Sequence, residues 1–350
     1  MKSTLFKRFY STTLITALLS GSHIAMAAPP AAHAEQANAA KLTLDQAEEK
    51  ALSSSVDLAL LRLDADSTYY KTRQTLQEKS AIKSNSIKKL DQAKKKYEDM
   101  AKARKDLVLG EANMKAQENT LRLQVQKAYL ELLYIEAQID LQQQSIKRQF
   151  WSSSPGEATE KNVGDLKTSH KQALAKLNEL LNENPAKEWK LAADDLTDYK
   201  LPPLEEIQQA AHEKRPDMVK ARAEKEFAQA RIDYLNDYSA LSTYLGKIAK
   251  NDGIKADLVI QRTKEKADQE IAGNYQKAVT ARQALEESSK SRKSGEKRYH
   301  EVLSNYRNGN AALSELIEQE GKLLEVETKH AECMYQYHTA VVTFKHSIGY

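Results

Sequence analysis

The 350-residue sequence has one cysteine, Cys333, so no disulfide can form within the chain. Glycine (11) and proline (7) are scarce and aromatic residues make up 7 %, which argues against a sheet protein built on frequent turns. Charge of one sign is also missing. The segment 1–27 carries Lys2, Lys7 and Arg8 and no acid, and without it 50 basic residues face 49 acidic ones. A nucleic-acid partner calls for a one-sided basic excess, so none is expected. Beyond the first 27 residues no stretch is apolar enough to span a bilayer as a helix. There is no Gly-rich phosphate loop, no HExxH and no paired-cysteine motif. No nucleophile–base–orienter set is visible, so the chain reads as a non-enzyme without cofactor or metal.

What is present is helix-forming: charged residues are 29 %, and Ala, Leu, Lys, Glu and Gln dominate. Residues 1–27 read as a secretory signal peptide, with a basic start, an apolar run Leu14–Leu19 and a small-x-small site at Ala25-Met26-Ala27. A second cleavage site falls after Ala34. An exported chain without disulfides must be held by packing, as a helical bundle is. Residues 28–40 are Ala/Pro-rich and read as a flexible lead-in.

Two stretches 160 residues apart say nearly the same thing. Lys41–Asp64 and Leu201–Glu224 align Leu44 with Leu204, Ala51 with Ala211, Asp57 with Asp217 and Arg62 with Arg222. Each is a short amphipathic helix, a break and the start of a long helix. Ser53-Ser54-Ser55 makes the first break and Arg215-Pro216-Asp217 the second. A repeat of this length means one structural unit used twice. The expected units are 41–184 and 203–350, joined by a linker at 185–202.

The predicted elements follow from periodicity. In the first unit a long helix runs from Val56 to about Lys105, with Gly110 as the turn. A second runs from Asn113 to Phe150, with Val125, Tyr129, Leu132 and Ile139 on one face. Trp151–Gly164 is a loop and Asp165–Asn182 a shorter helix. In the second unit the long helix from Pro216 carries Met218, Ala221, Ala228, Ile232 and Leu235 on one face. Asn251-Asp252-Gly253 is its turn. A helix of about 53 residues then leads to Arg307-Asn308-Gly309-Asn310. The final helix carries Met334, Tyr337, Val341, Phe344 and Ile348 at 3-4-3-4 spacing, the mark of coiled-coil packing. The fold class is therefore all-α: an elongated antiparallel coiled-coil bundle of two tandem repeats, with no β-barrel.

Two local features invite a chemical reading and receive a plain one. His330 and Cys333 lie one helical turn apart, but two ligands do not make a metal site. The basic run Lys88–Lys105 has Asp91, Glu98 and Asp99 interleaved and a weak apolar side, so it reads as a solvated helix face.

The order of these elements resembles the outer-membrane efflux protein family typified by TolC. Leu42–Leu58 and Leu204–Met218 look like the family's repeat openings, with Asp57, Pro216 and Asp217 marking them. Asn162-Val163-Gly164 looks like the first hairpin tip; Tyr306, Gly309, Leu313 and Leu316 look like the second tip and the helix after it. The ending with Tyr337, Phe344, Ile348 and Gly349 is similar to the family's closing helix. The resemblance implies a homotrimeric helical cylinder in the cell envelope. It implies an adaptor of the helical-hairpin type docking at Asn162, Val163, Gly164, Asn308, Gly309, Leu313 and Ser314, and an inner-membrane transporter beyond it. Barrel strands would lie at 80–115 and 246–269, where the sequence is charged and helical; only Ala256–Ile260 resembles a strand, and it is too short. The alternative expectation is an exported coiled-coil scaffold without transport activity.

Overall fold

The structure, a computed structural model, describes residues 40–149, 157–192 and 199–349. The expected signal peptide, nearly all of the lead-in, the first six residues of the Trp151–Gly164 loop and part of the 185–202 linker fall outside the described residues.

The first half opens with a three-residue strand, β1 (Ala40–Leu42). Helix α1 (Leu44–Ser54) follows, closed at its start by a capping box between Thr43 and Gln46. Ser55 ends α1 and begins α2 (Val56–Ser80), its hydroxyl accepting from the Leu58 amide. Residues 81–89 turn the chain. A short α3 (Leu90–Ala93) passes through one π turn, Lys94–Glu98, into α4 (Asp99–Arg148), and α5 (Glu157–Leu180) completes the half. Strand β2 (Trp189–Leu191) pairs in parallel with β1. The second half has α6 (Leu204–Lys214), α7 (Pro216–Asp237), α8 (Tyr244–Arg307) and α9 (Leu313–Ser347). Pro216 stands at the first helical position, where its missing N–H costs nothing.

The all-α reading holds except for the β1–β2 pair, which makes Ala40 part of a strand and places Trp189–Leu191 inside the expected linker. Three-residue strands are too short to leave a period-2 signature. The pair is held by Tyr129 of α4. Its hydroxyl sits 2.8 and 2.9 Å from the Leu42 and Ala192 carbonyls and accepts from the Ala192 amide at 2.9 Å. Among the described residues these are the only strands. Ala256–Ile260, and both segments where barrel strands were sought, are helical apart from the 81–89 turn.

Both expected turns in the long arms move. Gly110 lies inside α4 with open space around its Cα, and the reversal comes at 81–89. Asn251-Asp252-Gly253 lies inside α8, and the reversal comes at 238–243. Gly253 serves close packing: a Cβ there would meet the Ile232 Cδ1 atom of α7 at 2.9 Å. Thr243, whose hydroxyl accepts from the Gly246 amide at 3.2 Å, caps α8 where the sequence offered no obvious stop.

The helices lie side by side. Helices α2 and α5 pack on α4, α4 on α7 and α9, and α8 on α7 and α9, so α2, α5 and α8 are outer members. The 64 residues of α8 span about 96 Å. The predicted faces are largely the buried ones. Val125, Tyr129 and Leu132 of α4 are buried, as are Met218, Ala221, Ala228 and Leu235 of α7, and Tyr337, Val341, Phe344 and Ile348 near the C-terminus. Met334 is the exception, 40 % exposed, while the adjacent Cys333 is buried in its place.

Candidate functional site: the hairpin tips and the two ends of the bundle

The second tip closes by a complete Schellman motif. Gly309 adopts φ +76°, its amide donates to Tyr306 at 3.0 Å, and the Asn310 amide donates to Asn305 at 2.8 Å. A β-carbon at Gly309 would oppose this left-handed backbone. Leu313 and Ser314 begin α9 and are exposed. One turn on, Ile317 is 47 % exposed beside Leu313 at 38 %, an apolar pair that the sequence reading passed over although its i, i+4 spacing was in view. Leu316, between them, is fully buried against Tyr299, Leu323 and Val302.

The first tip is placed differently from the expectation. Asn162, Val163 and Gly164 lie within α5, which starts at Glu157, and Gly164 has no close neighbour. These three residues sit in the first turns of that helix. The final helix of the first half is also longer than expected, 24 residues against 35 in α9.

Where α4 ends, Arg148 reaches across to α9. Its Nε lies 3.1 Å from Glu320, and Nη1 and Nη2 grip both oxygens of Glu327 at 3.1 and 2.7 Å. Its guanidinium also faces the Tyr299 ring of α8 at 5.9 Å. Glu320 and Glu327 are buried. Burial works against the guanidinium's charge, but Glu327 and Glu320 outweigh it and raise the Arg148 pKa. One cation thus staples two buried carboxylates and pins the first hairpin to the second. The sequence carried a signal for this site: traced backwards from Tyr337, the 3-4 seam runs through Glu327, Leu323, Glu320 and Leu316. A glutamate in a packing seam requires a cation partner. The contact stands at the level of Tyr299, and α8 continues eight residues beyond it, about 12 Å.

At the opposite end the turns 81–89 and 238–243 pack on each other. Ile87, Ala93, Tyr234, Leu235, Ala240 and Ala249 form a small core. The Tyr238 hydroxyl donates to the Ile87 carbonyl at 3.2 Å, and Lys96 is buried with its Nζ on the Ile82 carbonyl at 2.5 Å and Ser84 Oγ at 3.1 Å. Tyr234 donates to Glu98; burial, then that carboxylate, raises the tyrosine pKa. The stretch Lys88–Lys105 is therefore part helix face and part end cap, with Leu90, Ala93 and Tyr97 turned inward.

The repeat-marking residues do structural work. Arg62 donates to the Leu52 carbonyl at 3.3 Å, and Arg222, 160 residues on, donates to the His212 carbonyl. Each arginine closes the C-terminus of its half's short helix. Asp57 lies in the first turn of α2, exposed. Asp217 is paired with Arg215 at 2.8 Å and accepts from the Met218 amide; burial alone would raise its pKa, but these partners lower it. Arg215 also holds the chain end, donating to the Ser347 carbonyl at 2.5 Å. His330 contacts Ser288 Oγ at 3.1 Å, and among the described residues no group of three or more metal-ligating side chains occurs.

No family model and no curated protein matches the sequence. Solved structures do match. The CmeC outer-membrane channel of Campylobacter jejuni aligns over 87 % of this chain and 85 % of its own, with TM-score 0.65 and 13 % identity. The open state of the MtrE outer-membrane channel of Neisseria gonorrhoeae covers 87 % and 88 %, with TM-score 0.64 and 17 % identity. The outer-membrane protein VceC of Vibrio cholerae covers 87 % and 96 %, with TM-score 0.62 and 13 % identity. The chain has the TolC-like fold of these channels, without barrel strands among its described residues.

Proposed function

We propose that the chain is a TolC-like component of an export or efflux assembly in the cell envelope, forming the wall of a helical conduit by self-association. The observation that carries this reading is a pair of uncovered outer helices. Helix α2 presents Val56, Leu60, Leu63 and Tyr70 along one stripe, 67, 57, 63 and 70 % exposed. Helix α8 presents Ile254 and Leu258 one turn apart, each 60 % exposed. An edge that differs from its opposite edge pairs head to tail, and head-to-tail pairing closes rings. Three copies would enclose a lumen, in keeping with the shared fold.

In this reading the tip at Asn308, Gly309, Leu313 and Ser314, with Ile317, takes the hairpin of an adaptor protein, which links to an inner-membrane transporter. Asn162, Val163 and Gly164 flank it from α5. The two halves descend from one duplicated unit, and residues 1–27 direct export. The mass of the chain 28–350 in solution tests the reading: a trimer with a lumen by electron microscopy supports it. Substituting Leu60→Glu and Leu63→Glu should give monomers. A strict monomer at high concentration would sink the closed conduit and favour an exported scaffold. That second reading has its own support in the closed end, where a packed core fills the place between the two turns.

A further inference from the structure

The end formed by the turns 81–89 and 238–243 carries an unbalanced charge. Lys83, Lys88, Lys89, Lys94, Lys95, Lys247 and Lys250 are all exposed there, seven cations against the four exposed acids Glu78, Asp91, Asp233 and Asp237. None of the seven lysines has an ion-pair partner among the described residues. The remaining acids near this end are already engaged: Glu98 with Tyr234 and Arg231, Asp99 with Lys79, Asp252 with Arg231. The one inward lysine, Lys96, is satisfied by backbone and Ser84.

Apolar side chains stand among these cations. Tyr244 is 87 % exposed, Ile248 53 % and Ile82 38 %, and Lys247 lies over the Tyr244 ring at 5.7 Å. Lysines alone would suit any polyanion. Lysines around an exposed tyrosine and isoleucines suit a surface that is anionic outside and apolar just beneath, with tyrosine at the boundary. No helix of the described chain is long and apolar enough to cross a membrane, so contact at this end is peripheral.

We propose that the closed end is a docking surface for an anionic lipid bilayer, with Lys83, Lys88, Lys89, Lys94, Lys95, Lys247 and Lys250 on the headgroups and Tyr244 and Ile248 entering the interface. The proposal does not depend on the conduit reading: a monomer has the same end.

The test is co-sedimentation of the chain 28–350 with vesicles of phosphatidylcholine containing about 30 mol % phosphatidylglycerol, beside pure phosphatidylcholine. Binding is expected to the first only, and to weaken as salt is raised. Each lysine near an anionic surface is worth about a fivefold change in affinity, so Lys88→Gln, Lys89→Gln and Lys94→Gln together should cost about 100-fold. The exposed triple Lys277→Gln, Lys290→Gln and Lys293→Gln in mid α8 should change little. Tyr244→Ser with Ile248→Ser should lower vesicle binding about tenfold while leaving binding to inorganic polyphosphate unaltered. All these side chains are exposed, so helical content by circular dichroism should match the parent. No binding to anionic vesicles overturns the proposal, as does an equal loss in the mid-α8 triple. Undiminished vesicle binding by the Tyr244/Ile248 variant, with polyphosphate bound as tightly as vesicles, overturns it in favour of a general polyanion surface.

Discussion

The two halves of the molecule agree at their beginnings and differ at their ends. In both, a buried alanine (Ala51, Ala211) anchors the short helix, a large apolar residue (Leu58, Met218) is buried just after the break, and an arginine (Arg62, Arg222) closes a carbonyl in the short helix's last turn. The breaks are built from different chemistry. Ser55 caps with its hydroxyl, whereas Arg215-Pro216-Asp217 uses a fixed proline φ and an internal ion pair. The hairpins diverge further: the last helix of the second is 35 residues against 24 in the first, and the second ends in a Schellman turn. Shared positions therefore hold the frame, and the differing ones shape the ends where partners would meet.

The largest expected effect tests how the unequal hairpins are joined. Arg148→Met strands two buried carboxylates and should destabilise the fold by about 3–5 kcal/mol, read as a drop in denaturation midpoint. Adding Glu320→Leu and Glu327→Leu should recover most of the loss; no recovery would mean that the arginine acts through packing alone. Tyr129→Phe should cost about 1–3 kcal/mol, since it removes the buried hydroxyl that gathers the Leu42 carbonyl and both polar groups of Ala192. In the second half Tyr337 holds Tyr199 by a looser pair of contacts, 3.2 and 3.4 Å, so Tyr337→Phe should cost less. Equal losses would erase that distinction.

Arg62→Ala and Arg222→Ala should each cost about 1 kcal/mol, and similarly, if the two arginines do the same task. A loss in only one would break the equivalence of the halves. The smallest effect concerns pH. Burial, with Arg292 nearby, holds His330 below the ordinary imidazole value, and burial, with Arg215 and Lys127, does the same for His346. The unfolded chain then binds these protons more readily. The stability contributed by the neutral forms is present above about pH 6.5 and is lost as pH falls through the unfolded value toward the folded ones. His330→Asn with His346→Asn should flatten this slope in denaturation curves between pH 7 and 5.

Much of the frame was legible. The aligned openings located α1 with α2 and α6 with α7, and the 3-4 spacing located the buried stripe of α9 from Tyr337 onward. The turns in the long arms were not legible, because Gly110 and Gly253 look like breakers and are tolerated within helices. Gly253 is there to let Ile232 approach, which is a fact about α7 that no local pattern reports. The real reversals at 81–89 and 238–243 contain little glycine or proline and are set by the core they share. Gly164, like Gly110, looks like a breaker and lies within a helix. Of the candidate site, Gly309 was legible because a left-handed turn demands it. Arg148 was not, because a cation at a helix C-terminus has an ordinary dipole explanation until Glu320 and Glu327 are seen facing it.

Helix α8 runs without interruption from the lysine-rich end to the Gly309 turn, 64 residues and about 96 Å. It is a ruler. Whatever holds one end of the molecule and whatever meets the other are kept apart by a distance written into the number of residues between Thr243 and Asn308. Removing or adding seven residues, two turns, in α8 with a matching change in α9 would reset that spacing by about 10 Å, with the packing register between the two helices preserved.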